Sequence, residues 1–176
     1  DLGKLKEAEI STRKAIELNP LYSSSYFNLG TILRDSGRLE EAEISTRKAI
    51  DLNPVLAEAH LILGTVLIIL GELEKAEISI RKAIDIKPDF ANAYYALSSF
   101  KNSNNNKSWK EELFSENIIN KKSKEDLIHI YFARANILHQ DKKYREGSKY
   151  LTLANKLKLE LKPSKPEIII NKSKKL

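Results

Sequence analysis

The chain contains no cysteine and no methionine, and aromatic residues make up 7% of its 176 residues. The lack of cysteine excludes a disulfide framework, a thiolate metal site and a cysteine nucleophile. The longest apolar stretch, 61–70, is interrupted by Gly64 and Thr65 and is far shorter than the ~20 residues that span a membrane. No signal peptide is visible. We therefore expect a cytoplasmic protein with no membrane partner, no metal and no cofactor.

Basic charge is concentrated in the second part of the chain. Residues 1–100 carry 12 Lys and Arg against 15 Asp and Glu, whereas 101–176 carry 18 against 9. A basic surface can bind nucleic acid. Here the lysines are scattered among Asn and Ser, without the aromatic side chains on which bases stack. We predict a solvated surface and no nucleic-acid partner.

A ten-residue segment occurs three times at even spacing. The sequence EAEISTRKAI spans 7–16 and 41–50, and 75–84 differs from it only at Lys75 and Ile80. A fixed period of this kind, ~34 residues, is typical of a solenoid, in which each unit buries its apolar face against its neighbours. Because the chain begins at Asp1 inside a repeat and lacks methionine, we expect it to be a piece of a longer protein.

Each period reads as two helices joined by a tight turn. Apolar residues recur at three- and four-residue spacing, Gly37 and Gly71 suit the left-handed backbone of a helix end, and Pro20, Pro54 and Pro88 close each period, since the residue before proline avoids the helical region. The pattern predicts helices over 5–18, 22–35, 39–52, 57–70, 73–86 and 91–102.

The repeats resemble the tetratricopeptide repeat, whose pattern is an aromatic residue, Leu-Gly, a large residue, two small residues around a large one, and a closing proline. One copy reads Tyr26, Leu29, Gly30, Leu33, Ala42, Thr46, Ala49, Pro54, and the next reads His60, Leu63, Gly64, Leu67, Ala76, Ile80, Ala83, Pro88. The resemblance implies an all-α fold, a right-handed α-α superhelix of antiparallel helix pairs. It places a half repeat at 1–20, repeats at 23–56 and 57–90, and the start of a third at 91.

The pattern weakens after residue 100. We predict an irregular insertion over 101–122 with a short helix from Trp109 to Asn120, and an extended basic tail or linker over 163–176. Between them, 123–162 reads as a degenerate capping helix pair. Ser123 is its predicted N-cap, the first helix contains 127–138 and the second spans 143–161. Arg134 stands where leucine is expected, and Gly147 replaces alanine.

A narrower resemblance lies in the same region. The segments 131–135, 143–147 and 154–158, read as YFARA, KYREG and ANKLK, are similar to bacterial proteins that join tetratricopeptide repeats to a C-terminal sulfotransferase domain. That resemblance implies a non-catalytic arm, because the chain has no glycine-rich loop that could bind the phosphosulfate donor. The alternative function is therefore positioning of substrate or partner for a catalytic domain outside this chain.

No group of residues predicts catalysis in this chain. His60 takes the place of Tyr26 and Tyr94 in neighbouring units, so we interpret it as a packed histidine. His129 and His139 are ten residues apart on one predicted helix, or about 15 Å, which is too far to share a metal.

The first helix of each tetratricopeptide unit lines a concave groove in this family. The carboxylate clamp of chaperone-tail binders needs converging Lys, Asn and Arg, of which only Asn28 and Arg34 are present, and Ile62 and Ala96 interrupt an asparagine ladder. We predict a mostly apolar groove with hydroxyl groups for a protein segment with aliphatic or aromatic side chains; alternatively, the helix around Trp109 covers Ile68 and Ile69. The predicted groove residues are Ser24, Phe27, Asn28, Thr31, Arg34, Glu58, Leu61, Ile62, Thr65, Ile68, Asn92, Tyr95, Ala96 and Ser99.

A second surface is predicted on the last helix. Tyr144, Leu151 and Ala154 are expected to pack back on the solenoid. An interface stripe recurs beside them at three- and four-residue spacing, and an open stripe at the end of a solenoid needs a cover. Candidates are the next domain, the tail at 168–170 or a second copy in a weak homodimer. The stripe consists of Tyr150, Leu153, Leu157 and Leu161.

Overall fold

The structure is a computed structural model that describes residues 2–100 and 108–162. The chain divides into two compact units, 1–105 and 106–176. The predicted tail over 163–176 and the polar run at 102–106 lie outside the described residues.

Unit 1 consists of consecutive antiparallel helices. They are α1 (Leu2–Leu18), α2 (Ser23–Asp35), α3 (Leu39–Leu52), α4 (Ala57–Ile69), α5 (Leu73–Ile86) and α6 (Ala91–Leu97). Each packs against the next, and α2 also packs against α4. The first five agree with the predicted helices to within a few residues.

The sixth predicted helix, 91–102, is too long. The α6 helix ends at Leu97, and Ser98 and Ser99 form a turn in which both hydroxyls donate to the carbonyl of Tyr95, at 2.7 and 3.5 Å. Serine hydroxyls that bond the backbone compete with helix continuation. The apolar periodicity also stops at this point, so no packing surface favours a further turn.

Two glycines set the closest approach within the helix pairs. A Cβ atom at Gly30 would overlap Thr46 and lie 3.3 Å from the carbonyl oxygen of Ala42, and one at Gly64 would overlap Ile80 and lie 3.2 Å from that of Ala76. Both contacts leave no room for a side chain at glycine. The predicted packing of small residues between paired helices is confirmed.

The helix pairs turn at a left-handed residue. The φ angles are +76° at Gly37 and +82° at Gly71, and the next residue closes a 6→1 bond, from Arg38 N–H to the Leu33 carbonyl and from Glu72 N–H to the Leu67 carbonyl, both 2.9 Å. This is the helix-ending motif that glycine favours.

Unit 2 contains α7 (Ser108–Phe114), a 3₁₀ turn at Asn117–Ile119, α8 (Lys124–Gln140) and α9 (Tyr144–Leu161). The prediction of one helix from Trp109 to Asn120 is wrong, because the chain leaves the helix after Phe114. Arg134 explains the break: Nε donates to the Leu113 carbonyl and Nη2 to the Ser115 carbonyl, both at 2.7 Å. Those carbonyls are therefore capped by a side chain instead of by a further helical turn.

The α8–α9 pair closes with the same turn as the pairs of unit 1. Lys142 has φ +61°, and Lys143 N–H bonds the Leu138 carbonyl at 2.8 Å. The small residues have exchanged helices, with Ala135 on α8 and Gly147 on α9, and a Cβ at Gly147 would lie 3.4 Å from the Ala135 carbonyl oxygen. As predicted, the Ser123 hydroxyl caps α8 by accepting from Asp126 N–H.

Candidate functional site

The predicted groove residues lie on the first helices α2, α4 and α6 and on the turn that follows α6. Because these helices recur at a constant period, equivalent side chains form rows across them. One row is Phe27, Leu61 and Tyr95, and a second is Thr31, Thr65 and Ser99. We call this surface the first-helix face.

Most of the predicted residues are accessible on this face. Asn28, Asn92 and Tyr95 are exposed, whereas Phe27 and several others are half-buried. Leu61 is the exception, since it is only 8% exposed. Because α2, α3 and α5 all pack against α4, Leu61 belongs to the core and offers little surface to a partner. The half-buried predicted residues are Ser24, Phe27, Thr31, Arg34, Glu58, Ile62, Thr65, Ile68 and Ala96.

The hydroxyl row is already oriented by the helices that carry it. Thr31 Oγ1 donates to the Phe27 carbonyl at 3.1 Å, and Thr65 Oγ1 donates to the Ile62 carbonyl at 2.8 Å. Ser99 Oγ makes a longer bond of 3.5 Å to Tyr95. Each hydroxyl proton is already donated to a backbone carbonyl three or four residues earlier. The oxygen lone pairs remain available to a partner, so these hydroxyls act as acceptors.

Arg34 offers little positive charge to a carboxylate. Its Nε donates to Asp35 Oδ1 at 2.9 Å, and Nη2 lies 2.7 Å from the same oxygen. Asn28 has Ile62 and Ala96 at its place in the following units. The side chains of this face therefore match neither a carboxylate clamp nor an asparagine ladder.

The face ends in an apolar hollow beside α6. Ile68 packs with Phe100 against a buried cluster of Leu63, Leu67 and Ala76. A cavity of about 460 Å³ lies next to it. Sequence reasoning missed Phe100 and Leu73 in this hollow, because Phe100 follows the last regular repeat position. The cavity is lined by Ile68, Leu73, Glu74, Glu77, Ser99 and Phe100.

The second helices form a different surface with two equivalent clefts. One has a volume of about 540 Å³ and contains His60, and the other, one repeat earlier, has about 420 Å³ and contains Tyr26. His60 Nε2 lies 3.0 Å from the Pro54 carbonyl oxygen, and Tyr94 donates the equivalent bond to Pro88 at 2.9 Å. His60 is thus a hydrogen-bonded side chain of the repeat, as the sequence predicted.

Across residues 2–100 and 108–162, no cluster of His, Cys, Asp or Glu could hold a metal ion. His139 is exposed and contacts the Tyr144 ring edge-on at 5.1 Å. In the same described part, no helix has the length and apolar character to cross a bilayer.

The predicted stripe on α9 is divided by the packing of unit 2. Tyr150 contacts the rings of Phe114 and Tyr131, at centroid distances of 6.3 and 5.9 Å. Leu153 and Leu161 are 43% and 38% exposed, and Leu157 is half-buried.

The residues expected to pack beside the stripe behave differently from one another. Ala154 is fully buried, but Tyr144 and Leu151 are 58% and 42% exposed. The prediction that Tyr144 and Leu151 are buried is therefore wrong. Leu151 stands where Thr46 stands in unit 1. There a glycine of the facing helix makes room for the side chain, whereas α8 has Ala135 at that place.

Antiparallel helix pairs at a constant period define unit 1 as an all-α helical solenoid. Tetratricopeptide repeat families match residues 12–44 and 57–90. No curated protein sequence matches the chain. These two segments are tetratricopeptide repeats, and they support a general role as a protein-interaction scaffold.

Solved structures agree with this fold. A crystal structure of MamA is 24% identical, with a TM-score of 0.65 over 90% of this chain and 91% of that one. A tetratricopeptide repeat protein from Parabacteroides merdae is 26% identical, with a TM-score of 0.65 over 93% of this chain and 63% of that one. A Thermobaculum terrenum O-GlcNAc transferase mutant is 20% identical, with a TM-score of 0.55 over 78% of this chain and 23% of the transferase.

Proposed function

We propose that the chain binds an apolar segment of a partner protein on the first-helix face. The observation that carries this proposal is the open hollow at Ile68 and Phe100, which continues into the row of hydroxyl acceptors. An aliphatic or aromatic side chain fits the hollow, and main-chain N–H groups of the segment fit the hydroxyl oxygens. The paired state of Arg34 disfavours a carboxylate as the main recognition element.

Selection from a randomised linear peptide library against the full chain tests this function. Enriched peptides are expected to carry aliphatic or aromatic side chains. Ile68→Lys should weaken their binding by about tenfold or more, because it places a charge in the hollow. Val55→Lys is the matched control, since Val55 is 71% exposed and lies in the loop after α3. Enrichment of acidic peptides that bind the Ile68→Lys variant equally well would contradict the proposal.

A second candidate function is that of a non-catalytic arm for a sulfotransferase domain outside this chain. The three segments that carry this resemblance lie together on the α8–α9 pair, which suits a unit placed before another domain. Such a parent would be bacterial and cytoplasmic. The chain itself is expected to turn over no phosphosulfate donor. A gene whose coding sequence continues past Leu176 without a donor-binding loop would contradict this candidate.

The stripe on α9 is proposed as a docking surface in either case. Leu153 and Leu161 keep enough exposed apolar area to meet the next domain or a second copy. Tyr150 is proposed to hold the stripe in place from inside unit 2, through its ring contacts with Phe114 and Tyr131.

A further inference from the structure

An isoleucine projects from the same place on each second helix of unit 1. Ile10 on α1, Ile44 on α3 and Ile78 on α5 are 62%, 70% and 69% exposed. The packing of the repeats does not use these side chains, since it buries Ala42, Thr46 and Ala49 elsewhere on α3. One exposed isoleucine is ordinary on a protein surface, whereas this one recurs in every repeat, with the clefts at Tyr26 and His60 between the successive second helices.

Two charged residues flank Ile44 on α3, one turn to either side. Glu40 precedes it by four residues and Lys48 follows it by four. Neither makes an ion pair within the described residues, whereas the neighbouring Arg47 is paired with Glu43 at 2.8 Å.

The same arrangement recurs on α5 around Ile78. Glu74 and Lys82 flank it and make no ion pair in the described part of the chain, while Arg81 is paired with Glu77 at 2.7 Å. We call the exposed face of these second helices the second-helix face. It carries Glu, Ile and Lys in that order on both α3 and α5, and these Glu and Lys side chains make no ion pair within the described residues.

We propose that this face associates with the same face of a second copy of the chain. The inference does not rest on the peptide-binding proposal; the two surfaces share Glu74, which also lines the hollow at Ile68 and Phe100. In an antiparallel arrangement about a two-fold axis along the isoleucine row, Ile44 meets Ile44 of the second copy. The residue four before it then faces the residue four after it, so Glu40 meets Lys48 in both directions. A two-fold contact is self-complementary in this way, and a parallel arrangement would set Glu40 against Glu40.

The contact centres on α3 and α5. Glu74 and Lys82 pair across the axis in the same manner, whereas on α1 the residues flanking Ile10 are Lys6 and Lys14, which would repel their counterparts. Two 14-residue helices, each about 21 Å long and separated by the cleft that contains His60, offer less contact area than the ~800 Å² per partner of a standard interface. The dimer is therefore weak and depends on concentration.

Sedimentation equilibrium of the full chain, over concentrations rising into the millimolar range, tests the proposal. Ile44→Lys should leave the chain monomeric. Glu40→Lys and Lys48→Glu should each weaken association by about tenfold, because symmetry creates two like-charge contacts per substitution. The Glu40→Lys, Lys48→Glu double variant should restore association. These residues are eight apart on one helix and do not face each other within a chain, so rescue reports an intermolecular contact.

Val55→Lys is the control, because it adds the same charge at an exposed site away from the row. Circular dichroism of each variant shows that the helices are intact. A wild-type chain that stays monomeric throughout would overturn the proposal, as would a double variant no better than the single ones. Dimers that persist in Ile44→Lys but disappear in a variant of the α9 stripe would also overturn it.

Discussion

At the residue scale, the repeat pattern predicted the environment of single side chains. His60 makes the hydrogen bond expected of its repeat position, because it reaches Pro54 as Tyr94 reaches Pro88. It is half-buried in a cleft, however, whereas Tyr94 is fully buried. Leu61 shows the limit of this reasoning. Its place in the pattern is that of Phe27 and Tyr95, but a central helix with neighbours on both sides buries it.

Gly64 allows a prediction at this scale. Gly64→Leu should lower the free energy of unfolding by about 1–3 kcal/mol or more, because the new side chain meets Ile80 and the Ala76 carbonyl in a filled interior. Urea denaturation measures the change. Gly147→Ala is the control, since its Cβ would make ordinary contacts at 3.4 Å and beyond and alanine favours the helix by ~0.5–1 kcal/mol. An unchanged midpoint for Gly64→Leu would mean that the paired helices do not meet there.

At the scale of the elements, the end of α7 depends on a side chain distant in sequence. Arg134 lies 21 residues from the Leu113 carbonyl that it caps, and no local pattern announces such a bond. Its guanidinium also lies 5.4 Å from the Tyr150 ring. The leucine expected at this position could pack but could not satisfy the carbonyls that end α7.

The helix α9 carries the second prediction. If its stripe is an interface, the Leu153→Lys, Leu157→Lys double variant should change the association state seen by light scattering. The measurement is best made in a chain that also carries Ile44→Lys, so that each surface is measured separately. Lys149→Glu, at an exposed position of the same helix, is the control. If the double variant folds and its scattering matches that of its parent, the stripe is not an interface.

At the scale of unit 1, ion pairs join the half repeat to its neighbour. Arg38, in the turn between α2 and α3, donates to both carboxylate oxygens of Glu9 on α1 at 2.8 Å. Hydrogen bonds from Arg13 and then Arg38 lower the pKa of Glu9, and a hydrogen bond from Arg38 lowers the pKa of Glu41.

These shifts predict how stability depends on pH. A carboxyl group whose pKa is lower in the folded chain contributes stability above its unfolded pKa of about 4.3, and the contribution is lost as pH falls through the folded pKa. Arg38→Gln should therefore lower the urea midpoint near neutral pH and have a smaller effect under acidic conditions. Arg145→Gln is the control, because Arg145 makes no ion pair within the described residues. An Arg38→Gln effect that is equal at both pH values would contradict this account.

Residue spacing was enough to predict the period, the helix pairs of unit 1 and the small residues between them. These features depend on residue spacing within one repeat. Because successive repeats are nearly identical, the same spacing produces the same helix pair in each of them. Tertiary structure decided what the chain leaves exposed. Leu61 is buried, Leu151 is uncovered and Ile44 projects outward because burial depends on what the neighbouring helices place against each position. A single repeat does not contain that information.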